Sequence, residues 1–227
     1  MALHRLSVIV PVLNEAACIE AALQALAPLV ARGGQTVVAD GGSTDATAAL
    51  ARAAGAQVVH APRGRAPQMN AGALQASGDI LVFLHVDTRL PLDADRLIAQ
   101  ALDNGLQIWG RFDVCIEGRP RMLRVIAAFM NLRSRWTGIA TGDQAMFMTR
   151  AAFDAVGGFA DQPLMEDIEM SSRLLKLSRP ACLRALVVTS GRRWENRGVW
   201  RTVLLMWRLR LAYWRGAAPE RLAELYR

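Results

Sequence analysis

Between Gly78 and Thr88 the chain reads Gly-Asp-Ile-Leu-Val-Phe-Leu-His-Val-Asp-Thr. A turn dipeptide opens an unbroken apolar run, and the run stops at His85 and Asp87. A short apolar run between turn residues reads as a strand buried on both faces. In an open α/β sheet, ligands are met just beyond the carboxyl ends of such strands, which is where Asp87 falls. Capping of the next turn is the other use of an aspartate at this point.

The chain before this strand repeats its logic. Leu6–Val12 predicts a first strand, with Pro11 near its end discouraging further ladder pairing. Asn14 and Glu15 open an alanine-rich helix that reaches about Val30 and stops at Gly33-Gly34. Thr36–Ala39 predicts a second strand, followed at once by Asp40-Gly41-Gly42-Ser43-Thr44-Asp45. Ser43, Thr44 or Asp45 can cap the helix that follows through Arg52. Gln57–Val59 is a third strand, residues 63–67 a basic loop, and Gln68 to Ala76 a short helix. Strands alternating with helices predict a mostly parallel sheet with right-handed crossovers. Polar clusters end three of these strands: Asn14/Glu15, Asp40 to Asp45, and His85/Asp87. Helix capping accounts for Ser43 and Thr44 more readily than for Glu15, Asp40 and Asp87 together.

The second half changes character. Asp93 to Asn104 predicts a helix, and Gly110–Glu117 alternates as a half-buried strand. Arg121 to Arg135 has helical periodicity, with Met122, Ile126, Phe129 and Met130 on one side. Residues 141–144 lead into a strand at Ala145–Met148, then a short helix closed by Gly157-Gly158. Glu166-Asp167-Ile168-Glu169 starts a helix running to about Ser178; acidic residues in a first turn are ordinary partners of the helix dipole.

In the tail, Trp200, Trp207 and Trp214 lie seven residues apart, and so do Arg201, Arg208 and Arg215. On a helix these make two adjacent stripes, with Val203, Leu204 and Leu211 beside the tryptophans. Such a helix suits a membrane interface. Leu205, Leu209 and Tyr213 on the other face equally suit a helix wrapping the core or pairing with a second subunit. The expected division is a domain over residues 1–195 and a helical tail over residues 196–227.

Charge narrows the partners. The 227-residue chain is 52% hydrophobic and carries a net charge of +7. That balance suits an anionic partner such as a nucleotide diphosphate or a membrane surface. The bases are mostly arginine, which favours bidentate phosphate contacts. Outside the tail they are not interleaved with stacking aromatics, so nucleic acid is not an expected partner. Cys18, Cys115 and Cys182 are odd in number and far apart, which indicates neither a zinc site nor a disulfide framework and suits a reducing, cytoplasmic setting. The N-terminus, His4-Arg5 and then a strand-like run, lacks a signal-peptide cleavage pattern. No window reaches the roughly 18 consecutive apolar residues of a membrane span.

Taken in order, the segments VIVPVLNE (8–15), ADGGSTD (39–45), NAGALQASGDILVFLHVDT (70–88), GDQ (142–144), MEDIE (165–169) and RRW (192–194) resemble family 2 glycosyltransferases of the GT-A fold. They are particularly similar to short bacterial members described as radical-SAM- and selenodomain-associated. The resemblance covers nearly the whole chain. It implies a nucleotide-diphosphate sugar as donor, with UDP as the family default, Mn²⁺ or Mg²⁺ as cofactor, and inversion at the anomeric carbon. Carried over residue by residue, Pro11, Glu15, Asp40, Arg65, Asn70, Val86, Asp87 and Arg193 match donor-side positions. His85-Val86-Asp87 occupies the DxD position, with histidine replacing the first aspartate, so metal duty falls mainly on Asp87, with His85 as the second candidate ligand. Glu166-Asp167 matches the ED motif, in which the aspartate is the general base. Asp143 and Trp194 are candidate acceptor contacts. Arg193-Trp194 resembles the end of the QxxRW motif of processive relatives, but Ser190 stands where the glutamine would be, which favours transfer of a single sugar. A late histidine metal ligand is absent, since the only histidines are His4, His60 and His85.

The expectation is therefore an inverting, metal-dependent glycosyltransferase in the cytoplasm or on the inner face of the cell membrane, with an unidentified, possible lipid-linked, acceptor and a homodimer as one option. A nucleotidyltransferase on a similar fold is the first alternative. The second is a non-catalytic nucleotide-sugar-binding or membrane-interaction protein with a degenerate DxD.

Overall fold

The computed structural model describes residues 5–103 and 105–226. In chain order the elements are β1 (Leu6–Val12), α1 (Ala16–Ala31), β2 (Gln35–Asp40), α2 (Thr47–Ala53), β3 (Gln57–His60), α3 (Arg65–Gln75), β4 (Ile80–Phe83), β5 (Thr88–Arg89) and α4 (Ala94–Leu102). There follow β6 (Trp109–Glu117), α5 (Met122–Thr137), a 3-10 turn at Gly142–Gln144, β7 (Met146–Thr149), α6 (Arg150–Ala155), α7 (Glu166–Leu174), β8 (Ala181–Ser190), α8 (Arg192–Arg197), α9 (Val199–Trp214) and α10 (Pro219–Tyr226). One sheet runs β3-β2-β1-β4-β7-β6-β8-β5. The β3-β2-β1-β4 half is parallel, β7 pairs antiparallel with both β4 and β6, β8 pairs parallel with β6, and β5 pairs antiparallel with β8.

Period-two alternation divides the core between the two faces of the sheet. Val8, Val10 and Val12 of β1 pack with Ile19, Leu23 and Leu26 of α1 on one face. Ile9 packs on the other with Val37, Leu81, Phe83 and, from α3, Met69 and Ala73. A third cluster ties Leu209 of α9 and Leu222 of α10 to Leu164 and Met165, just ahead of α7. The expected boundary at residue 195 therefore falls inside α8, and the tail packs on the loop that leads into Glu166. No helix among the described residues is long and apolar enough to cross a membrane.

Several local expectations shift. The helix expected from Gln68 starts at Arg65, because Pro67 fits a first helical turn, where its missing N–H has no intrahelical partner to lose. Ser43 and Asp45 accept from the chain entering α1, and Asp45 also accepts at the start of α2, while Thr44 is held by Asn14. Asn14 N–H donates to Ser43 Oγ (2.9 Å), Ala16 N–H to Asp45 (3.1 Å), and Thr44 N–H donates to Asn14 Oδ1 (2.8 Å). Asp45 also accepts from Thr47 N–H at the start of α2 (2.9 Å). On α5 the buried positions are Leu123, Ala127 and Ser134, while Phe129 points outward. The tail is three helices, with Gly198 at φ 82° breaking α8 from α9. Asn104, the expected end of α4, and His4 lie outside the described residues.

Candidate active site

The ends of β1, β4 and β8 open onto a cleft of about 520 Å³. Pro11 and Glu15 line it from β1 and the entry to α1, and Arg65 from the start of α3. His85, Val86 and Asp87 line it from the end of β4, Asp143 from the 3-10 turn, and Arg193 and Trp194 from α8. Nine of the residues singled out in the sequence, from Pro11 to Trp194, thus converge on one cavity.

Glu166 and Asp167 lie directly behind the 3-10 turn. Gly142 N–H donates to Asp167 Oδ2 (2.9 Å), and Ile168 N–H to its Oδ1 (2.8 Å). Arg65 Nη1 approaches Glu166 Oε1 at 3.9 Å. Burial pushes Asp167 above the usual carboxylate range, against the pull of the Gly142 and Ile168 N–H groups and Arg65. Burial, then the neighbouring Asp167 charge, push Glu166 up to about 7. Burial and the neighbouring Arg65 guanidinium lower Arg193 from its ordinary value. Two carboxylates raised toward neutrality beside arginines are equipped to take a proton and to hold an anionic ligand.

His85 faces Asp143, its Nδ1 3.2 Å from Asp143 Oδ1. Burial works to raise Asp143, but the hydrogen bond and charge of His85, with Arg65 and Arg193, prevail and hold it low. The other edge of the imidazole packs on Gly142, where a Cβ would fall 2.4 Å from Nε2. His85 is therefore turned to the 3-10 turn on both edges rather than toward Asp87, whose carboxylate faces Arg192 at 4.0 Å. Among the described residues no group of three or more His, Cys, Asp or Glu side chains could by itself hold a metal ion. A cation at Asp87 would take most of its ligands from a bound anion.

Two residues matched to the donor side are not on the cleft lining. Asp40 is buried, accepting from Ser43 N–H (3.2 Å) and facing His60 Nδ1 at 3.5 Å. Asn70 clasps the Phe159 backbone, donating to its carbonyl and accepting from its N–H, both at 2.8 Å. Conversely, sequence reading passed over Gln68. Its buried carboxamide donates to Val12 O (2.7 Å) and Ala39 O (2.8 Å), locking the ends of β1 and β2 together. It also passed over Thr189 of β8, Thr202 and Met206 of α9, and Tyr226, all on the lining. Arg193 stacks over the Tyr226 ring at 4.1 Å, and Arg197 Nη1 donates to Tyr226 O (2.8 Å), so α10 is pinned at the cleft mouth.

The non-glycine residues with positive φ among those described are Asn14 (54°), Ala145 (47°) and Met165 (66°). Each abuts a site segment: Glu15, the 3-10 turn and Glu166. Such conformations cost about 1–3 kcal/mol and persist where the surroundings enforce them.

The sequence model of glycosyl transferase family 2 matches residues 7–160. Uncharacterized glycosyltransferases of Mycobacterium bovis and Mycobacterium tuberculosis are 36% identical over 110 residues, 48% of this chain and 48% of theirs. The chain thus spans about half the length of the curated relatives it matches. A mannosyltransferase from Pyrobaculum calidifontis, solved with GDP-Man and Mn²⁺, superposes with a TM-score of 0.67 at 22% identity, covering 98% of this chain and 69% of that one. S. aureus TarS (residues 1–349) superposes at 0.66 and 19% identity over 82% of this chain and 60% of that one. Glucosyl-3-phosphoglycerate synthase from M. tuberculosis, solved with Mn²⁺ and UDP, superposes at 0.60 and 21% identity over 82% and 71%. At these identities the structural likeness establishes the fold, a GT-A-like α/β sheet.

Proposed function

The chain belongs to glycosyl transferase family 2, and from that premise we propose that it moves a single sugar from a nucleotide-diphosphate sugar to an acceptor hydroxyl, with inversion. UDP is the first donor base to test. The observation that carries this reading is the convergence of Arg65, Arg193, Asp87 and Asp143 on one cleft, with the buried Glu166–Asp167 pair directly behind its 3-10 turn and within reach of Arg65.

In this mechanism the donor diphosphate lies along Arg65 and Arg193, whose guanidiniums neutralise and orient it. Pro11 and Glu15 border the nucleoside end, and Asp40, off the lining, holds the Ser43 N–H. Val86 supplies cleft wall beside Asp87. The acceptor hydroxyl, oriented by Asp143 and Trp194, attacks the anomeric carbon. As its oxygen forms the new bond, the bond to the diphosphate breaks and the hydroxyl proton passes to Asp167. The N–H donors of Gly142 and Ile168 hold the Asp167 carboxylate in place, and raised basicity suits it to accept that proton. A divalent cation held by Asp87 and the donor phosphates would offset the charge gathering on the leaving group. Mn²⁺ accompanies the nucleotide in two of the structural neighbours. His85, engaged with Asp143 and Gly142, acts as a brace for the 3-10 turn. The free thiols Cys18, Cys115 and Cys182 fit work in a reducing compartment.

The test is Asp167→Asn with a panel of nucleotide sugars, following nucleotide diphosphate release and donor affinity separately. The expected outcome is a loss of turnover of about 10³-fold with donor affinity kept within a few-fold. Turnover unchanged in this variant removes Asp167 from the mechanism. Release of pyrophosphate in place of a nucleotide diphosphate identifies nucleotidyl transfer instead.

A further inference from the structure

Two helices turn apolar stripes outward. On α9, Trp200, Leu204, Trp207, Leu211 and Trp214 recur at helical spacing and are all exposed, the three tryptophans by 67–82%. On α5, Val125, Phe129, Leu132 and Trp136 do the same. Each helix is packed into the fold by its opposite side: α9 through Leu209, Thr202 and Met206, α5 through Leu123, Ala127 and Ser134. The outward stripes are therefore not needed for folding, and leaving so many aromatic side chains in water is unfavourable.

The charge pattern around them is one-sided. Residues 118–142 and 196–219 each contain five arginines and no aspartate or glutamate. Those ten exceed the whole net charge of +7, so the rest of the chain is net acidic. Arg201, Arg208 and Arg215 are exposed along one flank of the α9 stripe, and among the described residues none of them has an ion-pair partner. The two segments meet at α8: Arg119 N–H donates to Glu195 Oε1 at 2.6 Å, and α9 follows directly after Gly198. Arg119, Arg121 and Arg124 also line a separate cavity of about 790 Å³.

We infer that α9 docks the protein on the surface of an anionic lipid bilayer. Tryptophan and leucine seat at the boundary between headgroups and acyl chains, while arginine stems snorkel to the lipid phosphates. The stripe between the arginines is aliphatic as well as aromatic, which suits acyl chains better than stacked bases. Because Thr202 and Met206 on the inner side of the same helix line the sugar-transfer cleft, a docked molecule holds that cleft next to the membrane surface. The docking surface itself does not rest on the sugar-transfer reading.

Vesicle flotation of the full chain tests this, comparing phosphatidylcholine vesicles with vesicles that also contain phosphatidylglycerol, at low and at high salt. The expected result is at least tenfold more protein floating with the anionic vesicles, release by salt, and a blue shift of tryptophan emission that brominated acyl chains quench. Trp207→Ser/Trp214→Ser, and separately Arg201→Gln/Arg208→Gln/Arg215→Gln, should each abolish flotation without changing the thermal melt or nucleotide-sugar turnover on a soluble acceptor. If one set unfolds, the other still decides. Failure of the folded wild type to float, equal flotation with neutral vesicles, or flotation intact in both variants overturns the inference. So does a concentration-dependent dimer that shifts the tryptophan emission without lipid, or tighter binding to single-stranded oligonucleotides than to vesicles.

Discussion

Glu166 and Asp167 are neighbours in sequence held by different partners. Asp167 takes two backbone N–H groups from other residues, whereas Glu166 is buried with the Arg65 guanidinium 3.9 Å away. Burial holds Glu166 at about 7 against its ordinary 4.5, so the folded chain binds this proton more tightly than the unfolded chain. The stability that the protonated group contributes is full below about pH 4.5 and is lost as pH rises through about 7. Glu166→Gln stays neutral throughout. Its melting temperature should match the wild type near pH 5 and exceed it by roughly 2–6 °C at pH 8–9, read by calorimetry across pH. Gly142 is constrained by the imidazole against it. Gly142→Ala should displace His85 and the N–H that Asp167 accepts, lowering kcat by roughly 10–100-fold with the fold intact by circular dichroism. Asp87 and Asp167 were legible as site candidates because a carboxylate after a buried strand, or in a family-like motif, carries its own signal. Gln68 was not: a glutamine on a short helix reads as surface, and only the folded chain brings the ends of β1 and β2 to its carboxamide.

Elements show where periodicity suffices and where it fails. β1, β2 and β4 announce themselves as apolar runs because both faces are covered, while β3 is a short, half-buried edge strand. β8 went unread. Its pairing with β6 shifts register between Phe112 and Asp113, so Phe112 opposes Leu183 but Asp113 opposes Leu186, and Leu186 ends up exposed. A bulge of this kind breaks the alternation that marks a strand. The Asn70 clasp joins α3 to the segment after α6, and Asn70→Ala would leave the Phe159 N–H and carbonyl without it. The expected cost is about 1–3 kcal/mol by urea denaturation, with more in stability than in donor affinity. Leu209→Ala opens the cluster that seats α9 and α10 against Leu164 and Met165. It should cost about 2–5 kcal/mol and also lower turnover, since Met165 sets the left-handed entry to Glu166.

At the scale of the molecule, charge is sorted: acid-free arginine segments form α5 and α9, while the carboxylates lie elsewhere, Glu15, Asp87 and Asp143 among them on the cleft lining. The cleft lacks a cluster of three or more metal-ligating side chains among the described residues, so cation binding should depend on the donor. EDTA should abolish turnover, Mn²⁺ or Mg²⁺ should restore it, and neither cation alone should shift the melting temperature without nucleotide; Asp87→Asn should remove the metal response, read by thermal shift. The sequence by itself determined the alternation of strands and helices, the parallel half of the sheet and the polar residues at the strand ends, because these follow from local spacing of apolar and turn residues. Only the tertiary structure decided that His85 turns to Asp143, that Asn70 and Asp40 lie off the cleft lining, that β8 and α10 complete the cavity, and which face of α9 meets water. Each depends on contacts between segments tens to more than a hundred residues apart, and no local pattern records which of several compatible partners a side chain meets.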